Sequence, residues 1–352
     1  MRIPGPLPQG GTIGITAPSF GATTEPYITR FKEAVRKLTE QGFKVKAGRT
    51  CFKSDGLGIS TNPRAAAREL ERFYADPKID AIISCGGGET MCETVSFLDW
   101  SVIKNSPPKW FMGYSDNTNF IFPLATLCGT AGIYGPCVTG FGKPWEQTEN
   151  DSLALLTGSI RTVRGFKMFQ PPETGTESKE GGDPLSPYIL TERKTLRTYI
   201  PQNGKLIKCG TGVSVSVTGT LLGGCLDVLC GLSGTPLDAV RRFKRTHRSI
   251  IWVLEACDYN PMEIRRALWH LGECGWFENA AAFLIGRPLA AWRQTVMGVD
   301  QYNAVTDMLA RYRAPVIMDA DVGHIPPVMP LVIGADAAVT AKGNNLTVEH
   351  ML

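Results

Sequence analysis

Ser115 stands in Gly113-Tyr114-Ser115-Asp116-Asn117, directly after the apolar run Trp110–Gly113 and before a helix-patterned stretch over 118–127. A strand that ends in a sharp turn and feeds a helix sets a side chain at its own carboxyl end. It also sets that side chain beside the unpaired N–H groups of the helix N-terminus. A hydroxyl there can serve as a nucleophile, and the N–H groups favour a developing oxyanion. The segment resembles a nucleophile elbow, with Asn117 where G-x-S-x-G carries its last glycine. The alternative is that Ser115 only caps the helix. A second turn, Cys85-Gly86-Gly87-Gly88, follows the apolar run Ala81–Ser84. Glycines there let backbone N–H groups approach a ligand, so the turn could donate to an oxyanion, hold a phosphate, or be a tight turn with no ligand. Met91 occupies the last glycine position of G-x-G-x-x-G, and no G-x-x-x-x-G-K-[ST] occurs.

A serine nucleophile needs a base, and the chain has four histidines. His247 lies in Arg-Arg-Phe-Lys-Arg-Thr-His-Arg and reads as part of a solvated basic helix face. His270 falls mid-helix between Trp269 and Leu271 and reads as structural, and His350 is two residues from the end of the chain. His324 follows a strand run at 315–318, in a loop ending in Pro326-Pro327 that can hold an imidazole in one pose. The carboxylate to orient it is Glu255, which ends the run Ser-Ile-Ile-Trp-Val-Leu-Glu at another strand terminus. Glu255 could equally be a partly buried acid paired with an arginine. A rival constellation is Asp319, Asp321 and His324 as metal ligands, which lacks a second histidine or H-E-x-x-H nearby.

The elements that must position these residues follow from apolar periodicity. Strand runs at 12–17, 43–47, 81–84 and 110–113 alternate with helical patterns at 26–41, 63–74, 89–97 and 118–127. That order predicts a parallel sheet with helices on both faces. The pattern breaks after about residue 145, and 170–187 is rich in Pro, Gly, Glu and Ser, as a linker or long loop would be. Beyond it the pattern predicts strands at 213–222, 249–255, 281–285 and 315–318. It also predicts a helix at 261–274 and a closing Gly-Asn hairpin at 339–348.

With 352 residues, 43% hydrophobic and 20% charged, the chain has the material for about two globular domains, which excludes disorder. A net charge of +4 is too weak to point to nucleic acid. No apolar run reaches the ~18–20 residues of a bilayer span. The opening segment has no apolar core like that of a secretory signal. Ten cysteines without a C-x-x-C read as reduced, buried thiols of a cytoplasmic protein.

The block Gly113-Tyr114-Ser115-Asp116-Asn117-Thr118, together with Gly223-Gly224-Cys225-Leu226, Glu255 and Gly323-His324, resembles the serine LD-carboxypeptidases, peptidase family S66. That family includes the microcin C immunity peptidases. Further support comes from the helical pattern at 261–271 followed by Ile285-Gly286-Arg287, and the likeness runs from Gly11 to the closing hairpin. The resemblance implies an α/β fold: an N-terminal parallel-sheet domain over 1–165, a linker over 166–205, and a C-terminal mixed α/β (swivelling β/α) domain over 206–352. It implies a Ser115–His324–Glu255 triad with the active site in a cleft between the domains, and oxyanion donors at Asp116 and Gly88. It implies no metal or cofactor, a peptide or muropeptide substrate, no nucleic-acid or membrane partner, and a homodimer. Gly87, Tyr114 and Arg287 are the expected substrate-binding residues, with Arg287, Lys143 and Arg265 as candidate cations for a substrate carboxylate. Two departures from the family stand out: Cys225 where asparagine is common, and no tryptophan over 165–200 where the immunity peptidases stack an adenine. Tyr188 could stack instead. Two other functions remain open: an aminoacyl-nucleotide peptidase with the same triad, and a non-catalytic small-molecule binder using the 86–88 turn.

Overall fold

The computed structural model describes residues 1–174, 182–210 and 212–352 of the chain. Part of the glycine- and proline-rich stretch at 170–187, residues 175–181, lies outside the described residues. The chain divides into two compact units. One comprises Met1–Arg161, residues 182–187 and Pro330–Val332; the other comprises residues 162–174, Tyr188–Met329 and Ile333–Leu352.

The first unit is built on a six-stranded sheet. Its strand order is Leu331–Ile333, Gly132–Tyr134, Trp110–Gly113, Ala81–Ser84, Thr12–Thr16, Lys44–Ala47. The pairings from Gly132–Tyr134 through Lys44–Ala47 are all parallel. Ala81–Ser84 and Trp110–Gly113 are buried at every residue, as central strands covered on both faces must be. Lys44–Ala47 carries lysines and is largely exposed at the edge. Helices Tyr27–Glu40 and Pro63–Ala75 are amphipathic, and Pro63 starts the latter at a position that needs no N–H. Helix Thr118–Thr126 differs: all its residues are buried, with Phe120 against Phe111, Tyr74 and Trp100. The helix leaving Ser115 is thus anchored in the core rather than laid on the surface. The helix expected over 89–97 is shorter, Met91–Val95.

The second unit holds a nine-stranded mixed sheet. Its middle is parallel: Ser214–Cys225, Ile250–Glu255, Ala280–Gly286 and Val316–Ala320 lie side by side in that order. Antiparallel strands flank them. Arg197–Gln202 and Lys205–Lys208 lie beyond Val316–Ala320, and Asp336–Lys342, Asn345–Met351 and Thr162–Arg164 lie beyond Ser214–Cys225. Part of the 166–205 stretch is therefore strand. Helix Pro261–Glu273 opens with a capping box in which Asn260 and Glu263 satisfy each other's backbone N–H groups. The Asp336–Lys342 and Asn345–Met351 strands turn at Gly343-Asn344, as the hairpin pattern predicts.

All ten cysteines are free thiols, but the expectation that they are buried holds for only part of the set. Cys92 and Cys274 are exposed, and Cys209, Cys230 and Cys257 are half-buried, because they sit on helix faces or in loops rather than in strand cores. His247 stacks its ring on Phe243 at 3.8 Å, and His270 lies exposed with Nε2 2.6 Å from Ser233 Oγ. No helix among the described residues is long and apolar enough to cross a membrane.

Candidate active site

In the first unit, the carboxyl ends of three neighbouring parallel strands bring together Ser19-Phe20, the 86–88 turn and Ser115. Ser115 begins a short 3-10 turn and has φ of 61°. This left-handed conformation costs a non-glycine residue on the order of 1–3 kcal/mol, so the surroundings must hold it in place. They do so through several contacts. The Ser115 N–H donates to Tyr134 Oη at 3.1 Å. The Asn117 amide donates to the carbonyls of Gly86 and Tyr114, both at 3.0 Å, tying the glycine turn to the serine turn. Asp116 is buried; it accepts from Ser19 Oγ at 2.5 Å, the Met91 N–H at 2.9 Å and the Asn119 amide at 2.8 Å. Burial pushes the Asp116 carboxyl up, and these donors pull it back toward the charged form.

In the turn facing Ser115, Gly88 is the position that requires glycine. A Cβ on Gly87 would sit in ordinary contact with Ser115, 3.4 Å from its Cβ and 3.5 Å from its Oγ, so the turn borders the hydroxyl with room for about one methyl group. Gly88 has φ of 152°, and a Cβ there would meet Ser19 Oγ at 2.1 Å. Tyr114 is half-buried, with its ring edge-on to Tyr134 at 6.5 Å.

In the second unit, the carboxyl ends of the parallel strands converge in the same way. Glu255 closes Ile250–Glu255, and the loop carrying His324 follows Val316–Ala320. One strand, Ala280–Gly286, lies between them. It ends in glycine, and that makes the meeting possible. A Cβ on Gly286 would stand 2.1 Å from the Val322 carbonyl and 2.9 Å from Glu255 Cβ. Gly323, with φ of 109°, leaves room for the carboxylate, since a Cβ there would lie 2.6 Å from Glu255 Oε2. The His324 loop therefore crosses the end of the intervening strand, and His324 Nδ1 reaches Glu255 Oε2 at 2.8 Å.

The Glu255 side chain has no solvent exposure, and that of His324 has 11%. Leu226, Leu254, Ile264, Leu268, Ile285 and Met318 line an apolar hollow behind Glu255. Burial opposes the charged imidazole, but the Glu255 charge outweighs it, reinforced by the Cys257 thiol, and His324 is raised well above the usual histidine value. A histidine anchored by one nitrogen to a buried carboxylate can serve as the base-and-orienter half of an acyl-transfer site.

The remaining sequence candidates are placed as follows. Arg287 is buried at 1% exposure. Its Nη2 lies 2.8 Å from Asp321 Oδ1, its Nη1 donates to the Asp319 carbonyl at 3.0 Å, and its guanidinium covers Phe169 at 4.4 Å. Lys143 is buried in the first unit, and Arg265 pairs with Asp307 at 2.9 Å. Asp321 also accepts from Lys194 Nζ at 2.7 Å, and Asp319 pairs with Arg197. The carboxylates of the rival metal reading thus face cations, and no metal-holding group of three or more His, Cys, Asp or Glu occurs among the described residues.

Sequence reasoning gave no role to Tyr134, Asn117 or Gly286. Gly286 had a signal, a glycine ending an apolar strand run. The others gain meaning only from chain segments far away in sequence.

Comparison with known proteins supplies the family. Residues 13–135 match the family described as LD-carboxypeptidase N-terminal domain, and residues 218–339 match its C-terminal domain. Microcin C7 self-immunity protein MccF of Escherichia coli is 25% identical over 353 residues, covering 97% of this chain and 94% of that protein. A Bacillus subtilis protein named probable murein peptide carboxypeptidase is 25% identical over 351 residues, covering 98% of this chain and 94% of that one. A solved structure of MccF in complex with glutamyl sulfamoyl guanosine shares the fold, with a TM-score of 0.80 over 99% of this chain and 98% of that one, at 23% identity. Two family matches that together cover more than half of the chain lead to one conclusion: this protein belongs to the LD-carboxypeptidase family of peptidases, family S66.

Proposed function

We propose that the protein is a serine peptidase of LD-carboxypeptidase type. In this reading Ser115 is the nucleophile, His324 the general base and then acid, and Glu255 the group that orients His324. The observation that carries it is the 2.8 Å contact of His324 Nδ1 with the buried Glu255 carboxylate. It holds Nδ1 as the donor and leaves Nε2 to take the Ser115 proton. The strained Ser115 turn, packed against Gly87, supports the nucleophile. The N-terminal domain, 1–165, contributes Ser115. The C-terminal domain, 206–352, contributes the other two, with 166–205 as the linker. The reading requires Ser115 Oγ to come within proton-transfer reach of His324 Nε2.

Ser115 Oγ attacks the carbonyl carbon of the scissile amide as His324 accepts its proton. The N–H groups of Asp116 and Gly88 receive the oxyanion, each worth about 10²–10³ in kcat. His324 then protonates the departing amine, and water hydrolyses the acyl-enzyme by the reverse proton path. The substrate is a small peptide with a terminal D-residue after an L-centre, as in muropeptides. The family match and the murein peptidase relative support this. Gly87 and Tyr114 border the nucleophile and are the proposed contacts to substrate. Arg287 is engaged by Asp321, so a substrate carboxylate would have to compete for it.

A second reading, cleavage of aminoacyl-nucleotide conjugates by the same triad, draws on the MccF relative and its ligand. Incubation with an LD-tetrapeptide and with an aminoacyl-sulfamoyl adenosine, followed by mass spectrometry, separates the two. Release of D-alanine supports the first, and cleavage of the conjugate alone supports the second. Turnover of neither, with no labelling by a serine-directed phosphonate, would leave a small-molecule binder. The chain is further proposed to act in the cytoplasm as a homodimer.

A further inference from the structure

His324 stands on a loop whose two ends are drawn together, since the Met329 N–H donates to the Asp321 carbonyl at 2.7 Å. A second stretch of chain grips the same loop. Met168–Phe169 and Glu192–Arg193 pair antiparallel, and the Lys194 N–H donates to the Lys167 carbonyl at 2.9 Å, so the two segments form a neck. The neck meets the loop on both sides of His324. Before it, Asp321 Oδ2 accepts from Lys194 Nζ at 2.7 Å and from the Phe166 N–H at 2.9 Å. After it, the Pro326 carbonyl accepts from the Gln170 N–H at 2.9 Å. The neck is itself rooted in the nine-stranded sheet. The strand that enters it, Thr162–Arg164, pairs with Asn345–Met351, and the strand that leaves it, Arg197–Gln202, pairs with Val316–Ala320.

We infer that Lys194 and Asp321 are positioning residues for His324: their ion pair locks the neck onto the loop and fixes where the imidazole stands. The inference rests on the proposed role of His324 as the base. Glu255 orients the ring through Nδ1, but that contact holds only while the backbone carrying the ring keeps its place. The pair is deeply set, with the Lys194 side chain 2% exposed and that of Asp321 0%. A second buried cation, Arg287, lies on Asp321 Oδ1 at 2.8 Å. Burying such charges costs about as much as their attraction returns, and an apolar filling of the same volume would serve stability as well. What an apolar filling lacks is direction. Two cations and an N–H aimed at one carboxylate give Asp321 a single place, three residues before His324. Gly165 shows how closely the neck is seated. A Cβ there would lie 2.6 Å from Asp321 Oδ2 and closer still to Lys194 Nζ, although the Gly165 backbone does not require a left-handed φ.

The test compares wild type, Lys194→Met and Gly165→Ala. Lys194→Met removes one charge and leaves Arg287 on Asp321, whereas Gly165→Ala keeps both charges and wedges them apart. The readouts are kcat and KM on whichever of the two proposed substrates the enzyme cleaves, and the low-field proton NMR signal of the His324 Nδ1–H on Glu255, assigned by its loss in His324→Gln. Both variants should lower kcat by roughly ten- to a hundredfold, the scale of a misplaced reacting group, and leave KM within about threefold, because the buried pair offers substrate no contact. Both should also broaden the signal or move it upfield as the ring loosens from Glu255. A folded Lys194→Met protein with an unmoved signal overturns the inference, even if its melting temperature falls, and so does wild-type kcat in that protein. If that variant does not fold, an unmoved signal or wild-type kcat in Gly165→Ala overturns it equally. The proton signal needs no turnover, so failure of the peptidase reading, seen as an active Ser115→Ala protein, remains distinguishable.

Discussion

Adding one methyl group at Gly286 should disable the site without touching any reacting group. The Gly286 backbone does not require a left-handed φ, so alanine has no conformational penalty of its own. Its Cβ, however, would stand 2.1 Å from the Val322 carbonyl oxygen and 2.9 Å from Glu255 Cβ. An ordinary carbon–oxygen approach is about 3.3 Å, so the loop must retreat by roughly 1 Å. Val322 lies two residues before His324, and the loop is held at its far end by the Met329 N–H on the Asp321 carbonyl. The retreat is therefore passed to the imidazole, whose contact with Glu255 spans only 2.8 Å. A misplacement of about 1 Å can cost on the order of 10²-fold in rate. The assay is kcat/KM of Gly286→Ala on an LD-tetrapeptide, with far-UV circular dichroism and a melting curve to show that the fold survives. A folded Gly286→Ala enzyme within threefold of wild type would refute the slot argument and leave Gly286 a bystander.

Ser115→Ala should lower turnover by roughly 10⁴-fold with the fold intact, and combining it with His324→Ala should cost little more, because the two act as one unit. Additive losses in the double variant would assign them separate roles. Because Glu255 raises His324 well above the usual histidine value, kcat/KM should climb with pH through a midpoint above 6.5 as the imidazolium loses its proton. Glu255→Gln should drop the rate and bring that midpoint down; an unchanged acid limb would separate Glu255 from His324. Stability should carry its own acid dependence through His350, which is buried at 1% exposure and lowered by burial to about 4. Below its unfolded value near 6.5 the unfolded chain takes up a proton that the folded chain refuses. Stability is then full above that pH and falls by up to about 3 kcal/mol as pH drops toward 4. His350→Leu should flatten the difference between urea melts at pH 7 and pH 5, and an equal slope in both proteins would acquit His350.

The local order of the chain determined a good deal of this protein. A buried apolar strand, a turn and a helix in sequence are enough to put Ser115 at a strand's carboxyl end, because each element there needs only its neighbours. Glu255 and His324 were legible for the same reason, each standing at the end of its own strand run. Legible too was the parallel first sheet, since parallel strands demand crossover helices that leave a long periodic trace, whereas the mixed second domain followed from the family resemblance.

What the sequence could not determine is which strands lie side by side. His324 reaches Glu255 only because Ala280–Gly286 lies between their strands and ends without a side chain, a fact of strand order rather than of composition. Arg287 shows the same limit from the other side. Read alone it is a free cation at a strand end, whereas the fold brings Asp321 against it and takes up its charge inside the unit. Hydrogen bonds and ion pairs act over a few ångströms, and residues dozens of positions apart come within that range only when the sheet is assembled.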